Sequence, residues 1–180
     1  MWWSRLAAPA LRAWAEGDRP LRLVQQAVAK DDPDKQALAC YGVLLPEADE
    51  VWLRFLDGRP VSAVTTAFLD WCCREAAARG RAALLLVWDH ASWHSSKAVR
   101  GWIRAHNRQV KADGRGVRLV VCQLPVKSPW LNPIEPKWVH TQRKVVEPDR
   151  LLPARELAQR VCAALDCDYH EHIPIPEKAA

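Results

Sequence analysis

The sequence predicts an α/β fold in which a mixed sheet carries helices on its faces and its later strands run parallel. Three observations predict it. Two apolar runs, Ala37 to Leu45 and Val51 to Leu56, are separated only by the turn P-E-A-D-E, as in an antiparallel hairpin. From Ser62 onward, helical and strand-like patterns alternate, which calls for crossover connections and a parallel arrangement. The chain of 180 residues is long enough for one domain with a sizeable core.

Taken in order, residues 1 to 35 show no clean period: Trp2, Trp3, Leu6, Leu11 and Trp14 are apolar, and Ala29 to Lys35 reads as a polar turn. After the hairpin, Val64, Phe68, Trp71, Cys72 and Ala76 fall on one helical stripe from Ser62 to Arg79, with Gly80 placed to close the helix. Ala82 to Trp88 is an unbroken apolar run, expected to be a strand covered on both faces. Ser95 and Ser96 can cap a second helix with the stripe Val99, Trp102, Ile103, His106 and Val110. The turn D-G-R-G leads into a strand over Val117 to Leu124, and Ile134, Trp138 and Val145 mark a third helix. A short helix from Ala154 to Leu165 and a polar tail close the chain. The expected organisation is an N-terminal lead-in over 1–36, a core over 37–148 and a C-terminal helix and tail over 149–180.

The totals constrain function loosely. Twenty-six basic against twenty-one acidic residues give a net charge of +5, which favours an anionic partner without identifying one. None of the six cysteines falls in a C-x-x-C pair, so they read as reduced thiols of an intracellular protein. Pro9 and Arg12 break the N-terminal apolar stretch, which argues against a secretory signal. No run approaches the ~18 apolar residues of a membrane span. A cytoplasmic, nucleoid-associated location is the expectation. In the tail, Cys162, Cys167, His170 and His172 are four conceivable zinc ligands, but their spacing follows no established pattern.

Two carboxylates stand at unusual places. Asp89 directly follows the run Ala82 to Trp88, at the strand edge where α/β sheets place ligands. Position alone leaves a second reading open, a turn residue preceding the next helix. Glu135 follows a Pro- and Trp-rich loop where a helix begins. It reads equally well as the third residue of a capping box started by Asn132, with Pro136 arguing against that register. Hard divalent cations bind such oxygens, and a pair of ions clamps the attacking and leaving oxygens of a phosphodiester.

The motif S-P-W-L-N-P-I-E-P-K-W (Ser128 to Trp138), downstream of D-H-A-S-W-H (Asp89 to His94), resembles the catalytic core of the insertion-sequence 630 transposases, relatives of the mariner elements. The likeness runs from about Ala37 to Pro148. It implies a ribonuclease-H-like fold with a DDE triad, Mg²⁺- or Mn²⁺-dependent DNA cleavage and strand transfer, and transposon ends and target DNA as partners, with a homodimer as a further expectation. Asp89 matches the second acidic residue and Glu135 the third, together as catalytic residues and metal ligands. His94, Lys127, Ser128, Trp130, Lys137, Arg143 and Lys144 form the expected DNA-contacting set. A basic row on the second helix (Lys97, Arg100, Arg104, Arg108, Lys111) reads as a solvated face or a phosphate contact.

Three departures accompany the likeness. His90 stands where the family has Asn after the Asp. Forty-five residues lie between Asp89 and Glu135, a long spacing that the turn K-A-D-G-R-G absorbs. The first Asp of the triad is not identifiable: Asp57 follows the hairpin, Asp31, Asp32 and Asp34 lie in a polar turn, and Glu16 and Asp18 in another. The expectation is a core lacking its first strand, which would lie before Met1, with an incomplete two-metal site and negligible cleavage. Two other readings stand beside it: a non-catalytic DNA-binding or dimerisation remnant, and a small metal-dependent nuclease.

Overall fold

A computed structural model describes residues 1–5, 28–34, 37–145 and 151–175. A three-residue strand, β1 (Trp2–Ser4), precedes the hairpin β2 (Ala37–Leu45) and β3 (Glu50–Leu56). Helix α1 (Ser62–Ala78), strand β4 (Ala83–Trp88), helix α2 (Lys97–Asp113), strand β5 (Arg118–Gln123) and helices α3 (Ile134–Val145) and α4 (Ala154–Leu165) follow. Gly80 terminates α1 as the sequence predicts. With φ at +69° it turns the chain so that its own N–H reaches the carbonyl of Ala77 and that of Arg81 reaches Ala76. Ser96 caps α2, its Oγ accepting the Val99 N–H at 3.1 Å.

The hairpin strands form the middle layer. Alternate residues face opposite sides: Ala39, Tyr41, Trp52 and Leu56 join the core under α1 and α2, while Leu38, Cys40, Val51, Leu53 and Phe55 join a second core with α3 and α4. Thus α4 is packed into the hairpin's second face through Leu157, Ala158 and Val161. Arg5 ties the N-terminal segments to the residues just before α4. Its buried guanidinium pairs with Asp32 at 3.0 Å and donates to the carbonyl of Leu152, while Asp34 Oδ2 accepts the Ala154 N–H at the start of α4.

Two expectations need correcting. The single mixed sheet is in two pieces among the described residues: an antiparallel sheet ordered β1-β2-β3 and a parallel pair β4-β5. The strand β4 is not covered on both faces. Leu84, Leu86 and Trp88 are buried toward α1 and α2, whereas Leu85 is 66% exposed and Val87 and Val120 also face outward. Helix α3 does not cover that face because it packs on β2, through Ile134 and Trp138. No helix among the described residues is long and apolar enough to cross a membrane.

Candidate metal and DNA site

Between the two sheets lies a cleft of about 330 Å³. Tyr41 to Leu44 of β2 line one wall, Leu85 to Trp88 of β4 the other, and Thr65, Phe68 and Leu69 of α1 the floor; Leu131 to Ile134 bound it where α3 begins. The Cys40 N–H donates to Met1 O at 2.9 Å, toward β1. By strand alternation, the backbone groups of Gly42 and Leu44 point to the same side, into the cleft. Trp88, buried on the β4 wall, has an indole N–H without a hydrogen-bond partner among the described residues.

Asp89 emerges where β4 ends, 58% exposed. Its Oδ1 accepts two hydrogen bonds, from the Ala91 N–H at 2.9 Å and from His94 Nδ1 at 2.8 Å, and Oδ2 accepts none among the described residues. The intervening turn brings His94 back: its N–H donates to Ala91 O at 2.9 Å. The His94 ring lies parallel on Trp88, centroids 4.9 Å apart, with Trp93 edge-on and Tyr41 tilted beside it. Burial holds the His94 pKa below its ordinary value against the opposing pull of Asp89, favouring the neutral imidazole. His90 turns the other way, its Nε2 at 2.6 Å from Leu124 O, fastening the loop to the end of β5.

Glu135 sits half-buried in the first turn of α3, where the helix dipole favours a carboxylate. The helix starts at Ile134, so Pro136 falls in the first turn, where its missing N–H costs no intrahelical bond. Asn132 Nδ2 lies 3.4 Å from Glu135 Oε1 and the Glu135 N–H donates to Asn132 O at 3.1 Å, a local turn that leaves most of the carboxylate available. What seats this end of α3 against β2 is Gly42. A Cβ there would lie 2.4 Å from Trp138 Cη2. The sequence offered no hint of that role, nor of Tyr41, whose hydroxyl is 2.7 Å from Thr65 Oγ1 on the cleft wall.

The cleft is lined by chain neighbours of the two carboxylates, Trp88 before Asp89 and Asn132 to Ile134 before Glu135, and by His94, which bonds Asp89; neither carboxylate is itself part of the lining. The remaining predicted contacts divide. Lys127, Ser128 and Trp130 lie in the loop just before Glu135, Lys127 in the left-handed region (φ +59°) and Trp130 75% exposed. Lys137 turns to the hairpin, paired with Asp49 at 2.8 Å. Arg143 and Lys144 are exposed in the last turn of α3, about 12 Å along the helix from Glu135. The basic row of α2 is exposed throughout.

No described carboxylate elsewhere completes a triad. Asp32 and Asp34 serve Arg5 and α4, Asp57 is bonded to His172 Nδ1 at 3.0 Å, and Glu16 and Asp18 lie outside the described residues, as do Leu6, Leu11 and Trp14. Among the described residues, no group of three or more His, Cys, Asp and Glu side chains is arranged to hold a metal, the four tail residues included. His172 is taken by Asp57, and Cys162 is a buried free thiol. No curated protein matches the chain. The sequence does match the family described as DDE superfamily endonuclease over residues 5–157. With most of its length covered by that match, the chain belongs to the DDE superfamily endonucleases.

Proposed function

We propose that this chain is the catalytic core of a transposase of the insertion-sequence 630 type, built on a ribonuclease-H-like plan, acting on transposon ends and target DNA. The observation that supports the reading is the placement of Asp89 at the end of β4 and of Glu135 in the first turn of α3, each next to residues that line one cleft, with Asp89 Oδ2 accepting no hydrogen bond among the described residues. Two carboxylates suit Mg²⁺ or Mn²⁺, which binds through one or two such groups and keeps several waters. The ion would supply Lewis-acid activation of the attacking oxygen and of the phosphodiester. Asp89 and Glu135 would hold it, and the loop before Glu135 and the basic end of α3 position DNA. Trp130, exposed in the loop that precedes Glu135, offers a stacking face for an unpaired base. Arg143 and Lys144, at the far end of the same helix, neutralise phosphates further along the strand.

A two-ion site needs a further carboxylate, which none of the described residues brings to the cleft. Cleavage by the 180-residue chain alone is accordingly expected to be negligible. The test is Mn²⁺ binding and plasmid nicking by the wild type, Asp89→Asn and Glu135→Gln. Each substitution is expected to weaken Mn²⁺ binding on the order of tenfold or more, with little nicking in any sample. Unchanged Mn²⁺ binding in both variants would sink the metal site. Robust nicking abolished by Asp89→Asn would show that the site is already complete. The exposed basic row of α2 favours a second reading, a metal-independent DNA-binding domain. Salt-sensitive DNA binding that ignores both substitutions and added metal is its signature.

A further inference from the structure

We infer that His94 is a positioning residue for Asp89, fixing which carboxylate oxygen faces a metal, and does not itself contact DNA; this rests on the metal-site reading above. Asp89 stands at the end of a strand, more than half exposed, where a carboxylate free in water samples several rotamers. Here two donors converge on the same oxygen: the Ala91 N–H at 2.9 Å and His94 Nδ1 at 2.8 Å. With Oδ1 engaged twice, the carboxylate plane is set and Oδ2 is the oxygen presented outward.

The positioning works only if His94 is itself held, and it is. Its side chain is 17% exposed. One face lies on Trp88, 4.9 Å between centroids and 2° from parallel. Trp93 meets it edge-on at 6.0 Å and Tyr41 stands 5.8 Å away. A ring stacked on one aromatic residue and flanked by two others is held where it donates to Asp89. A carboxylate partner also selects the tautomer, because Nδ1 must carry the proton to donate to Oδ1. Outer residues of this kind orient ligands in known metal sites, and their loss typically weakens metal binding 10- to 100-fold, on the order of what is expected here. His90, bonded to Leu124 O at 2.6 Å, braces the opposite end of the same loop.

The test uses the full chain with His94→Phe, which keeps a ring on Trp88 but removes the N–H, and His94→Asn, whose amide can replace Nδ1–H. Mn²⁺ titration is expected to show about tenfold weaker binding for His94→Phe and near-complete rescue by His94→Asn. Metal-free DNA affinity is expected to be unchanged in both. A metal-independent readout accompanies these: side-chain ¹⁵N spectra should show His94 as the Nδ1–H tautomer in the wild type, lost in Asp89→Ala. Wild-type Mn²⁺ affinity in His94→Phe, an Nε2–H tautomer in the wild type, or a loss of metal-free DNA binding in His94→Phe would each overturn the inference. If Asp89→Asn leaves Mn²⁺ binding intact while the tautomer is Nδ1–H, the metal site fails but the Asp89–His94 pairing stands.

Discussion

Tyr41 shows how much one side chain's surroundings decide. Burial pushes its phenol up to about 12, the nearby Asp89 charge adds to this, and the hydrogen bond with Thr65 opposes it. A folded-state pKa raised above the ordinary value of 10.0 means that the folded state resists the phenolate. Tyr41's contribution to stability is thus fully present below pH 10 and lost as pH climbs toward 12. The chain has two tyrosines, the other being the exposed Tyr169, so ultraviolet titration of the folded protein should resolve one late phenol, absent from Tyr41→Phe. The sequence could not announce this, because Tyr41 is merely one residue of an apolar run. Asp89 was legible for the opposite reason: it is the charge at which such a run stops. What the letters D-H-A-S-W-H do not contain is the turn that folds His94 back onto that carboxylate.

At the scale of elements, the contact between α3 and β2 turns on a missing side chain. Gly42→Val would drive a Cβ to 2.4 Å from the Trp138 ring, which is wedged edge-on against Trp3. Overpacking of this kind costs ~1–3 kcal/mol. Urea unfolding of Gly42→Val is expected to show that loss, with Gly42→Ala smaller but in the same direction; equal stability would mean that α3 is not seated as described. Helices with clear stripes were readable to within a residue or so: in α2 the stripe and the Ser96 cap agree, while α4 was read without a side-chain cap. Strand β4 was readable as a strand but not by face. A run of Ala, Leu, Leu, Leu, Val and Trp holds no polar residue to mark the side left open. Strand β1 was invisible because three residues carry no period; its pairing with Ala37, Leu38 and Ala39 comes from tertiary structure.

Over the whole molecule, positive charge is spread along two helices flanking the hairpin layers, and the binding of DNA should report it. If Arg143 and Lys144 each neutralise one phosphate, replacing both with Ala lowers the slope of log affinity against log salt by about 2 on duplex DNA. Anisotropy measurements across a salt series check this, and an unchanged slope would remove both from the contact set. The mixed α/β class, and the placement of Asp89 at a strand end and Glu135 at a helix start, were legible because each is written in local pattern. The division into two sheets was not, since strand periodicity says which residues alternate but never which edges meet.

The cleft between the sheets has a consequence for how the protein behaves in the tube. Along β2 the amides of Gly42 and Leu44 point away from β3, into an apolar trough with no strand beside them among the described residues. Unsatisfied ladder groups next to buried apolar walls are what templates accretion of any passing extended chain. Hydrogen exchange at those two amides should be fast while Val43, bonded inward to β3, is slow. Concentrated stocks should grow sluggishly into oligomers that a charged residue set into this rim, such as Leu44→Lys, holds back.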